Sequence, residues 1–279
     1  MFTLNCKGRL LVIDEPIVMG IINTTPDSFF EGSRMNKMDA LLFKVEEMIK
    51  GGAAIIDIGG QSTRPNSERI SADDEAQRVI PFVEGIAKRF PDINISIDTY
   101  YSKVAAEAVA AGACIVNDVS AGSIDEKMID TVASLKVPYI LMHNNGSLQN
   151  TQLHPTYKNV TLDVFDFLNF KMHELRHAGI NDIIIDPGFG FGKTIEHNFQ
   201  LLHSLHFFTQ LQKPLLVGLS RKKTIYKTLG VTPGEALNGT TVINTVSLLN
   251  GANILRVHDV KEARQAIKLV QTLKIKERS

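Results

Sequence analysis

Cysteine, tryptophan and net charge are scarce or missing in this sequence of 279 residues. It contains two cysteines, Cys6 and Cys114, and no tryptophan. Two cysteines cannot form the disulfide framework of a small secreted protein, and we expect both to be buried and inert. Lys plus Arg and Asp plus Glu number 30 each, so the formal net charge is zero. Because binding to a phosphate backbone needs a basic surface, nucleic acid is not expected as a partner.

Long hydrophobic runs are also absent. Apolar runs such as Ile17–Met19 are far shorter than the roughly 18 residues that a membrane-spanning helix needs. The N-terminal residues are interrupted by Lys7, Gly8 and Arg9, which is unlike the apolar core of a signal peptide. The sequence therefore predicts a cytoplasmic protein that does not associate with membranes.

What the sequence does contain is a regular alternation of short apolar runs and amphipathic stretches. The apolar runs are rich in Ile and Val, as in parallel strands that are covered on both faces. The predicted strands are Val18–Ile22, Ile55–Ile58, Ile93–Ile97, Cys114–Asp118, Tyr139–Met142, Ile183–Asp186, Leu215–Gly218 and Ile254–Val257. The predicted helices are Asp39–Ile49, Asp73–Phe90, Val104–Ala111, Glu126–Leu135, Leu162–Ala178, Phe199–Leu205, a pair around Lys223–Leu229 and Thr240–Leu249, and Val260–Leu273. The helix C′ positions are predicted at Gly51, Gly112, Gly179, Gly230 and Gly251.

Eight strands that alternate with helices in a chain of this length predict an α/β fold, a single (β/α)8 TIM barrel. An open, doubly wound sheet is the alternative. Residues 1–14, with a turn at Lys7-Gly8, predict a short N-terminal β-hairpin before a barrel of residues 15–279. We expect the whole chain, 1–279, to form one domain.

Polar side chains follow nearly every predicted strand at the point where the strand ends. Since the carboxyl ends of barrel strands and the loops after them form the active site, these residues are expected to converge. They include Asn23, Asp57, Asp98, Asn117, Asp118, His143, Asn144, Asp186, Ser220, Arg221, Lys222, Arg256 and His258. A single aspartate in such a place is often only a helix N-cap, but eight polar strand ends indicate a binding site.

The chemistry of these side chains suits a heterocycle that carries a phosphate group. Carboxylates, an amide and an ammonium match the donor and acceptor edge of a ring such as a pterin. They belong to Asp98, Asn117, Asp186 and Lys222. Arg256 and His258 lie two apart on the last strand and so point to one face, where they could hold a pyrophosphate. Asn23 could supply an oxygen ligand to Mg²⁺.

Three further patterns are interpreted as structural. The segment 188–194 is similar to a phosphate-binding P-loop but has Pro187 where the motif needs glycine, so we interpret it as a flexible loop whose glycines let the backbone approach a ligand. His203 and His206 share a helix face without a third metal ligand, and we expect them at the surface. Lys222 follows a strand end instead of lying inside the barrel, which disfavours a Schiff-base lysine.

At these strand ends the sequence resembles the dihydropteroate synthase family over essentially its whole length. The resemblance is carried by seven segments in order: 19–29, 56–65, 96–99, 117–122, 186–193, 220–222 and 256–258. It implies a transferase of folate biosynthesis, in which p-aminobenzoate attacks 6-hydroxymethyl-7,8-dihydropterin diphosphate to give 7,8-dihydropteroate and pyrophosphate. It also implies a homodimer, which we expect to form through late helices such as Thr240–Leu249 and Val260–Leu273.

The resemblance implies a role for each matching residue. Pterin would be bound by Asp98, Asn117, Asp186 and Lys222, the diphosphate by Thr63, Arg256 and His258, and Mg²⁺ by Asn23. The p-aminobenzoate pocket would be shaped by Thr63, Arg64, Pro65, Phe191 and Ser220. Lys222, Asp98 and Arg256 would act in catalysis. The first two loops, rich in Gly, Ser, Thr and Pro, are expected to close over the substrates.

The sequence departs from the family pattern in a few places. Gln61 stands where the family often has Glu, Asn66 where it often has Gly, and Glu31 where Asp is common. The run 144–148 lacks the familiar Met and Pro after His143. Two other functions stay open on the sequence alone: a pterin-dependent methyltransferase that shares this barrel, and a pterin-binding paralogue without catalytic activity.

Overall fold

The computed structural model describes residues 1–24, 34–61, 69–145 and 156–275. Ten strands occur in these ranges: β1 Phe2–Cys6, β2 Arg9–Ile13, β3 Ile17–Asn23, β4 Ala53–Gly59, β5 Asn94–Asp98, β6 Ile115–Asp118, β7 Tyr139–Met142, β8 Ile183–Asp186, β9 Leu216–Val217 and β10 Ile254–Val257. The prediction of eight barrel strands is confirmed, with the penultimate strand reduced to two residues. That strand ends before Gly218, where the chain turns towards Ser220.

The eight strands β3 to β10 form one parallel sheet in the order β8-β7-β6-β5-β4-β3-β10-β9. A further parallel bridge joins Ile185 of β8 to Leu215, which directly precedes β9. This bridge brings the two ends of the sheet together, so the sheet closes into a barrel. The (β/α)8 architecture is confirmed, and the open, doubly wound sheet is excluded.

The helices lie between the strands, as the sequence predicts. They are α1 Arg34–Lys50, α2 Ala72–Arg89, α3 Ser102–Ala111, α4 Met128–Leu135, α5 Val160–His177, α6 Ile195–His203, α7 Lys223–Leu229, α8 Leu237–Leu249 and α9 Val260–Ile275, with a 3₁₀-helix at Leu205–Leu211. The start of α6 was predicted too late because its capping box pairs Thr194 with His197 instead of Glu or Gln. The residue with positive φ after α1 is Gly52 (97°), whereas the sequence predicted the helix C′ position at Gly51.

The barrel interior is built in layers, because alternate residues of each strand point inwards. The lower layer is apolar and includes Met19, Ile115, Ile140, Ile184 and Leu216. The residues two positions further along the same strands form the upper layer, at the carboxyl ends. This upper layer contains Asp57, Asp98, Asn117, Asp186 and Arg256. The period of two therefore places the polar strand-end residues on the inner face of one end of the barrel.

The opposite end of the barrel is covered by the N-terminal hairpin, which the sequence predicts. β1 and β2 pair in antiparallel fashion around a turn at Lys7 and Gly8, both of which have positive φ (54° and 85°). Leu4 and Ile13 of the hairpin are buried against the lower layer. Arg9 donates hydrogen bonds to the carbonyls of Pro91 (3.0 Å) and Ile93 (3.1 Å). The hairpin thus closes the amino-terminal end with apolar side chains.

The two cysteines meet under this hairpin. Cys6 of β1 and Cys114, just before β6, are both buried free thiols in the same apolar cluster. Hydrogen bonding with Cys114 and burial raise the pKa of the Cys6 thiol. The prediction that both are buried is confirmed. Among the helices that the structure describes, none combines the length and the apolar character needed to cross a membrane.

Candidate active site at the carboxyl ends of the strands

The central feature of this end is a network of charges around Asp57, a residue to which the sequence analysis gave no role. The side chain of Asp57 is fully buried (0% exposed), and its Oδ2 accepts from Arg256 Nε at 2.6 Å and from Asn117 Nδ2 at 3.1 Å. Arg256 Nη2 donates to Asp98 Oδ2 at 2.5 Å. One guanidinium therefore joins the carboxylates of β4 and β5. Such pairing is what allows charges to remain in a mostly buried place.

The pKa values of this network reflect competition between burial and pairing. Burial alone would lower the pKa of Arg256, but the carboxylates of Asp57 and Asp98 raise it, so the guanidinium stays charged. Burial raises the pKa of Asp98 to about 7, against the lowering effect of Arg256. Asp57 and Asp118 push this pKa in the same direction as burial does. Asp98 is therefore a carboxyl group whose proton affinity responds to its neighbours.

A second group of charges lies across the barrel mouth, after β8 and β9. Lys222 Nζ donates to the carbonyl of Phe189 at 2.6 Å and lies 4.7 Å from the centre of the Phe191 ring. Burial lowers the pKa of Lys222 to about 8, whereas the charge of Asp186 acts against burial. Asp186 accepts from the Gly188 N–H at 2.7 Å, and burial raises its pKa. Carboxylate and ammonium thus face each other at this side of the site.

Glycine occupies two inward positions between these groups. A Cβ built on Gly218 would lie 3.9 Å from both Arg256 and Lys222 Nζ. A Cβ on Gly59 would lie 3.4 Å from Asp98 Cβ. Larger residues at these two positions would extend into the space between the charged groups. The site therefore combines two carboxyl groups, an amide and two cations, with no side chain at the two glycine positions between them.

The segment after β8 differs from its interpretation as a flexible, ligand-contacting loop. A Cβ on Gly188 would lie 1.8 Å from the His143 carbonyl, and one on Gly192 would lie 2.2 Å from the Asn145 carbonyl. These two glycines are needed for contact with the protein's own backbone. Lys193 adds to this contact, since its Nζ lies 2.9 Å from His143 Nδ1 and donates to the Gly188 carbonyl at 2.9 Å.

The residues predicted for diphosphate are only partly brought together. His258 does not hydrogen-bond with Arg256; its Nδ1 lies 3.0 Å from Ser220 Oγ, which also accepts from the His258 N–H at 3.2 Å. The sequence analysis assigned Ser220 to the p-aminobenzoate pocket. Burial, helped by the charge of Arg256, lowers the pKa of His258 to about 4, so the imidazole is neutral at pH 7. Arg256 is instead held by the carboxylates of Asp57 and Asp98.

Several predicted residues lie outside the described ranges. They are Thr63, Arg64 and Pro65 of the predicted p-aminobenzoate and diphosphate sites, together with Glu31, Asn66 and most of the first two loops. Gln61 is described, and its Oε1 accepts from the Ile70 N–H at 3.1 Å. Phe191, the described aromatic member of the p-aminobenzoate set, lies beside Lys222. Asn23 is exposed at the end of β3, at the barrel mouth.

Potential metal ligands are few among the described side chains. Within those ranges no group of three or more His, Cys, Asp or Glu side chains could hold a metal ion. His203 and His206 are exposed, as predicted. Asn23 supplies one oxygen donor at the barrel mouth, which fits Mg²⁺, because this ion commonly keeps several waters and binds through one or two side chains plus substrate phosphates. The residues present are compatible with a metal that arrives with a phosphorylated substrate.

The role of Asp57 could have been found from the sequence. It is an acidic residue between isoleucines, two positions before the end of a strand that is otherwise apolar. A buried carboxylate needs a partner, and an inward position near the carboxyl end places that partner in the site. What the sequence did not show was which of the many cations would pair with it.

With this geometry established, comparison with known proteins identifies the family. A family model described as pterin binding enzyme matches residues 19–258. The dihydropteroate synthase of Escherichia coli strain K12 is 41% identical over 274 residues, which cover 97% of this chain and 96% of that protein. The chain belongs to the dihydropteroate synthase family.

Solved structures of dihydropteroate synthases have the same fold. The Xanthomonas albilineans enzyme with 4-aminobenzoic acid superimposes with a TM-score of 0.91 at 38% identity, covering 98% of both chains. The same enzyme in complex with 7,8-dihydropteroate gives a TM-score of 0.88 at 36% identity, again covering 98% of both chains. Similarity to synthases over nearly the whole length favours a synthase over a methyltransferase that shares only the pterin-binding barrel.

Proposed function

We propose that this protein is a transferase that condenses 6-hydroxymethyl-7,8-dihydropterin diphosphate with p-aminobenzoate. The amine nitrogen forms a bond to the exocyclic methylene carbon, the carbon–oxygen bond to the diphosphate breaks, and pyrophosphate leaves with the electron pair. The amine proton passes to water or to the pyrophosphate. The observation that carries the proposal is the set of polar side chains on the inner face of the barrel at the carboxyl ends of β4, β5, β6, β8 and β10, which Asp57, Asp98 and Arg256 join by hydrogen bonds.

Pterin recognition is proposed for Asp98, Asn117, Asp186 and Lys222. Asp98 and Asp186 would accept from the N–H groups of the aminopyrimidinone ring, and Lys222 would donate to its carbonyl. Asn117 is already oriented by Asp57 through the 3.1 Å hydrogen bond. Gly218 lies between Lys222 and Arg256, so no side chain from this position would compete with the ring.

The diphosphate is proposed to lie on the Arg256 and His258 side of the pterin, with Thr63 as a further ligand. Arg256 donates to Asp98, a proposed pterin ligand, and precedes His258 by two residues, so the proposed pterin and diphosphate ligands adjoin at Arg256. His258 would donate a hydrogen bond as a neutral imidazole. Asn23 would hold Mg²⁺, which when bound supplies positive charge to the phosphate oxygens.

The p-aminobenzoate pocket is proposed to include Phe191 and Ser220 together with Thr63, Arg64 and Pro65. The Phe191 ring beside Lys222 provides an apolar wall next to the proposed pterin position. The arylamine is neutral at pH 7, so the reaction needs orientation more than a strong base. The residues proposed to act in catalysis, Lys222, Asp98 and Arg256, would position the pterin and stabilise charge as the carbon–oxygen bond breaks.

The proposal is tested by pyrophosphate release from the purified protein with the dihydropterin diphosphate and Mg²⁺, with and without p-aminobenzoate. Lys222→Ala is compared with Lys223→Ala, which removes an exposed lysine at the next position. We expect release that depends on p-aminobenzoate and is lost only in Lys222→Ala. Pterin binding without turnover in the unchanged protein would contradict the proposal and would identify a binding paralogue.

Two further proposals concern the state of the protein. We propose a homodimer through α8 and α9, because large apolar side chains are exposed there: Val242 (54%), Leu249 (49%), Leu269 (72%) and Leu273 (56%). Sedimentation should show a dimer, and Leu269→Lys should weaken it; a monomer at micromolar concentration would contradict this. A cytoplasmic location is supported by the two free thiols, which suit a reducing compartment.

A further inference from the structure

Glu75 in the first turn of α2 is a buried acid that the reaction described above does not use. Its side chain is 0% exposed. Its Oε2 accepts from Thr99 Oγ1 at 2.8 Å, whereas Oε1 has no hydrogen-bond partner among the described residues. Hiding a half-satisfied carboxyl group destabilises a fold, so its presence needs a reason beyond packing.

The partner of Glu75 is the residue that follows Asp98, a proposed pterin ligand. The Thr99 hydroxyl accepts from the Tyr101 N–H at 3.1 Å and donates to Glu75, which fixes the direction of its proton. The Thr99 N–H donates to the Asn117 carbonyl at 3.0 Å. Glu75 therefore fixes, through a single hydroxyl, the backbone that joins Asp98 of β5 to Asn117 of β6. Both of these neighbours are proposed pterin ligands.

Glu75 also contacts the end of β4. A Cβ built on Gly60 would lie 2.7 Å from Val79 Cγ1 and 3.0 Å from Glu75 Cγ, so glycine at this position lets the end of β4 approach α2 at both residues. The next residue, Gln61, accepts from the Ile70 N–H, and the Ile70 carbonyl accepts from the Tyr101 hydroxyl at 2.8 Å. Glu75 thus lies between Gly60, which follows β4, and Asp98 at the end of β5. Tyr101 is hydrogen-bonded to both segments, through its N–H to Thr99 and through its hydroxyl to the Ile70 carbonyl.

The charge of Glu75 is linked to that of Asp98. Burial raises the pKa of Glu75 to about 7, and the charge of Asp98 raises it further, whereas the Thr99 hydroxyl, the Gly60 amide and Arg78 lower it. The titratable groups that influence Glu75 are Asp98 on β5, Arg78 on α2 itself and the buried Tyr100 phenol, whose own pKa is raised by burial and by the charge of Glu75. A ligand that donates hydrogen bonds to Asp98 favours the ionised form of Asp98. Glu75 would then take up a proton.

We propose that Glu75 is a positioning residue for pterin binding, which acts through Thr99 on Asp98 and through Gly60 on the end of β4. This inference deepens the proposed function and rests on Asp98 being a pterin ligand. It predicts a larger effect on the pterin than on p-aminobenzoate, because the one side-chain hydrogen bond of Glu75 runs to Thr99, whose backbone lies between Asp98 and Asn117. A residue that only stabilised the fold would affect both substrates alike.

The first test compares Glu75→Ala and Glu75→Gln with Glu84→Gln, an exposed glutamate on the same helix. In Glu75→Ala we expect KM for the pterin diphosphate to rise about tenfold, the scale of one lost hydrogen bond to a charged group, with KM for p-aminobenzoate within about twofold. Glu75→Gln should recover most of the loss, because its amide oxygen still accepts from Thr99. Glu84→Gln should behave as the unchanged protein. Equal increases in both KM values, or none, would overturn the proposal.

The second test measures net proton exchange when 6-hydroxymethyl-7,8-dihydropterin binds at pH 7, from calorimetry in buffers of different ionisation enthalpy. In the unchanged protein we expect little net exchange, because the proton that Asp98 loses is offset by the proton that Glu75 gains, whereas Glu75→Gln, which cannot titrate, should show net release from Asp98. Identical exchange in the two proteins would count against the linkage. Binding of this ligand does not depend on turnover, so the test separates a wrong role for Glu75 from a wrong proposed reaction.

If Glu75→Ala does not fold, variants of Thr99, the hydrogen-bond partner of Glu75, test the same proposal. Thr99→Val removes the hydroxyl at nearly constant volume, and Thr99→Ser keeps it. We expect Thr99→Val to raise KM for the pterin diphosphate as Glu75→Ala does, and Thr99→Ser to recover most of the affinity. If Thr99→Val left this KM unchanged, Glu75 would not act through Thr99.

Discussion

The two ends of the barrel are built from the same strands and have opposite chemistry. At the amino-terminal end, residues such as Ile115, Ile140 and Ile184 form an apolar layer that the hairpin covers. Two positions further along the same strands, Asn117, Met142 and Asp186 form the upper layer. One end contributes buried apolar surface and the other contributes partly paired charges. We therefore expect the lower end to determine stability and the upper end to determine activity.

The largest expected effect is on activity, from Asp57→Asn. This change keeps the shape of the side chain but removes the negative charge that pairs with Arg256. Asp98 must then pair with the guanidinium without the Asp57 carboxylate. We expect kcat/KM for the pterin diphosphate to fall about 10³-fold, or about 4 kcal/mol, by steady-state kinetics. Asp130→Asn, at an exposed position of α4, serves as the control. Retained activity in Asp57→Asn would mean that the network does not organise the site.

In the lower layer, Ile184→Ala should reduce stability and leave activity unchanged. Ile184 is fully buried beneath the hairpin, and its truncation should reduce the free energy of unfolding by about 3 kcal/mol in denaturant titrations. The exposed Leu162→Ala should have little effect. The remaining folded protein should keep its KM for the pterin diphosphate. A large rise in this KM would show that the two ends are not independent.

A smaller effect is expected from pH at the upper end. The pKa of Lys222 is about 8, so the ammonium loses its proton as the pH rises through this value. If the protonated form donates to the pterin carbonyl, kcat/KM for the pterin diphosphate should fall about tenfold per pH unit above pH 8. Lys222→Arg, which stays charged, should lose activity overall but remove this decline. A decline of the same shape in Lys222→Arg would assign it to another group.

The smallest effect is expected at the outer side of the hairpin. Arg9→Ala removes the hydrogen bonds to the carbonyls of Pro91 and Ile93, and because Arg9 is exposed the loss of stability should be about 1 kcal/mol. Thermal unfolding measures this loss, and Lys88→Ala at an exposed position of α2 is the control. kcat should not change. A clear fall in kcat would mean that the hairpin influences the opposite end of the barrel.

Much of the site could be predicted from the sequence because its placement follows from strand periodicity. Once β5, β6, β8 and β10 are located, a period of two and the barrel rule put Asp98, Asn117, Asp186 and Arg256 on one inner face. The segment after β8 was interpreted less well. Gly188 and Gly192 pack against the backbone of residues 143–145, a contact between two loops that no local pattern encodes.

The amino-acid sequence by itself determined the barrel, the covering hairpin, the family and the end at which the polar residues gather, because these depend on short-range periodicity and on motifs at strand ends. Only the tertiary structure decided which charges pair. Arg256 meets Asp57, which is 199 positions away in the chain, and Ser220 pairs with His258 instead of standing apart from it. The orientation of Glu75 towards Thr99 was settled in the same way. Such contacts depend on barrel closure and on competition among buried charges for partners, and neither is written in any short stretch of sequence.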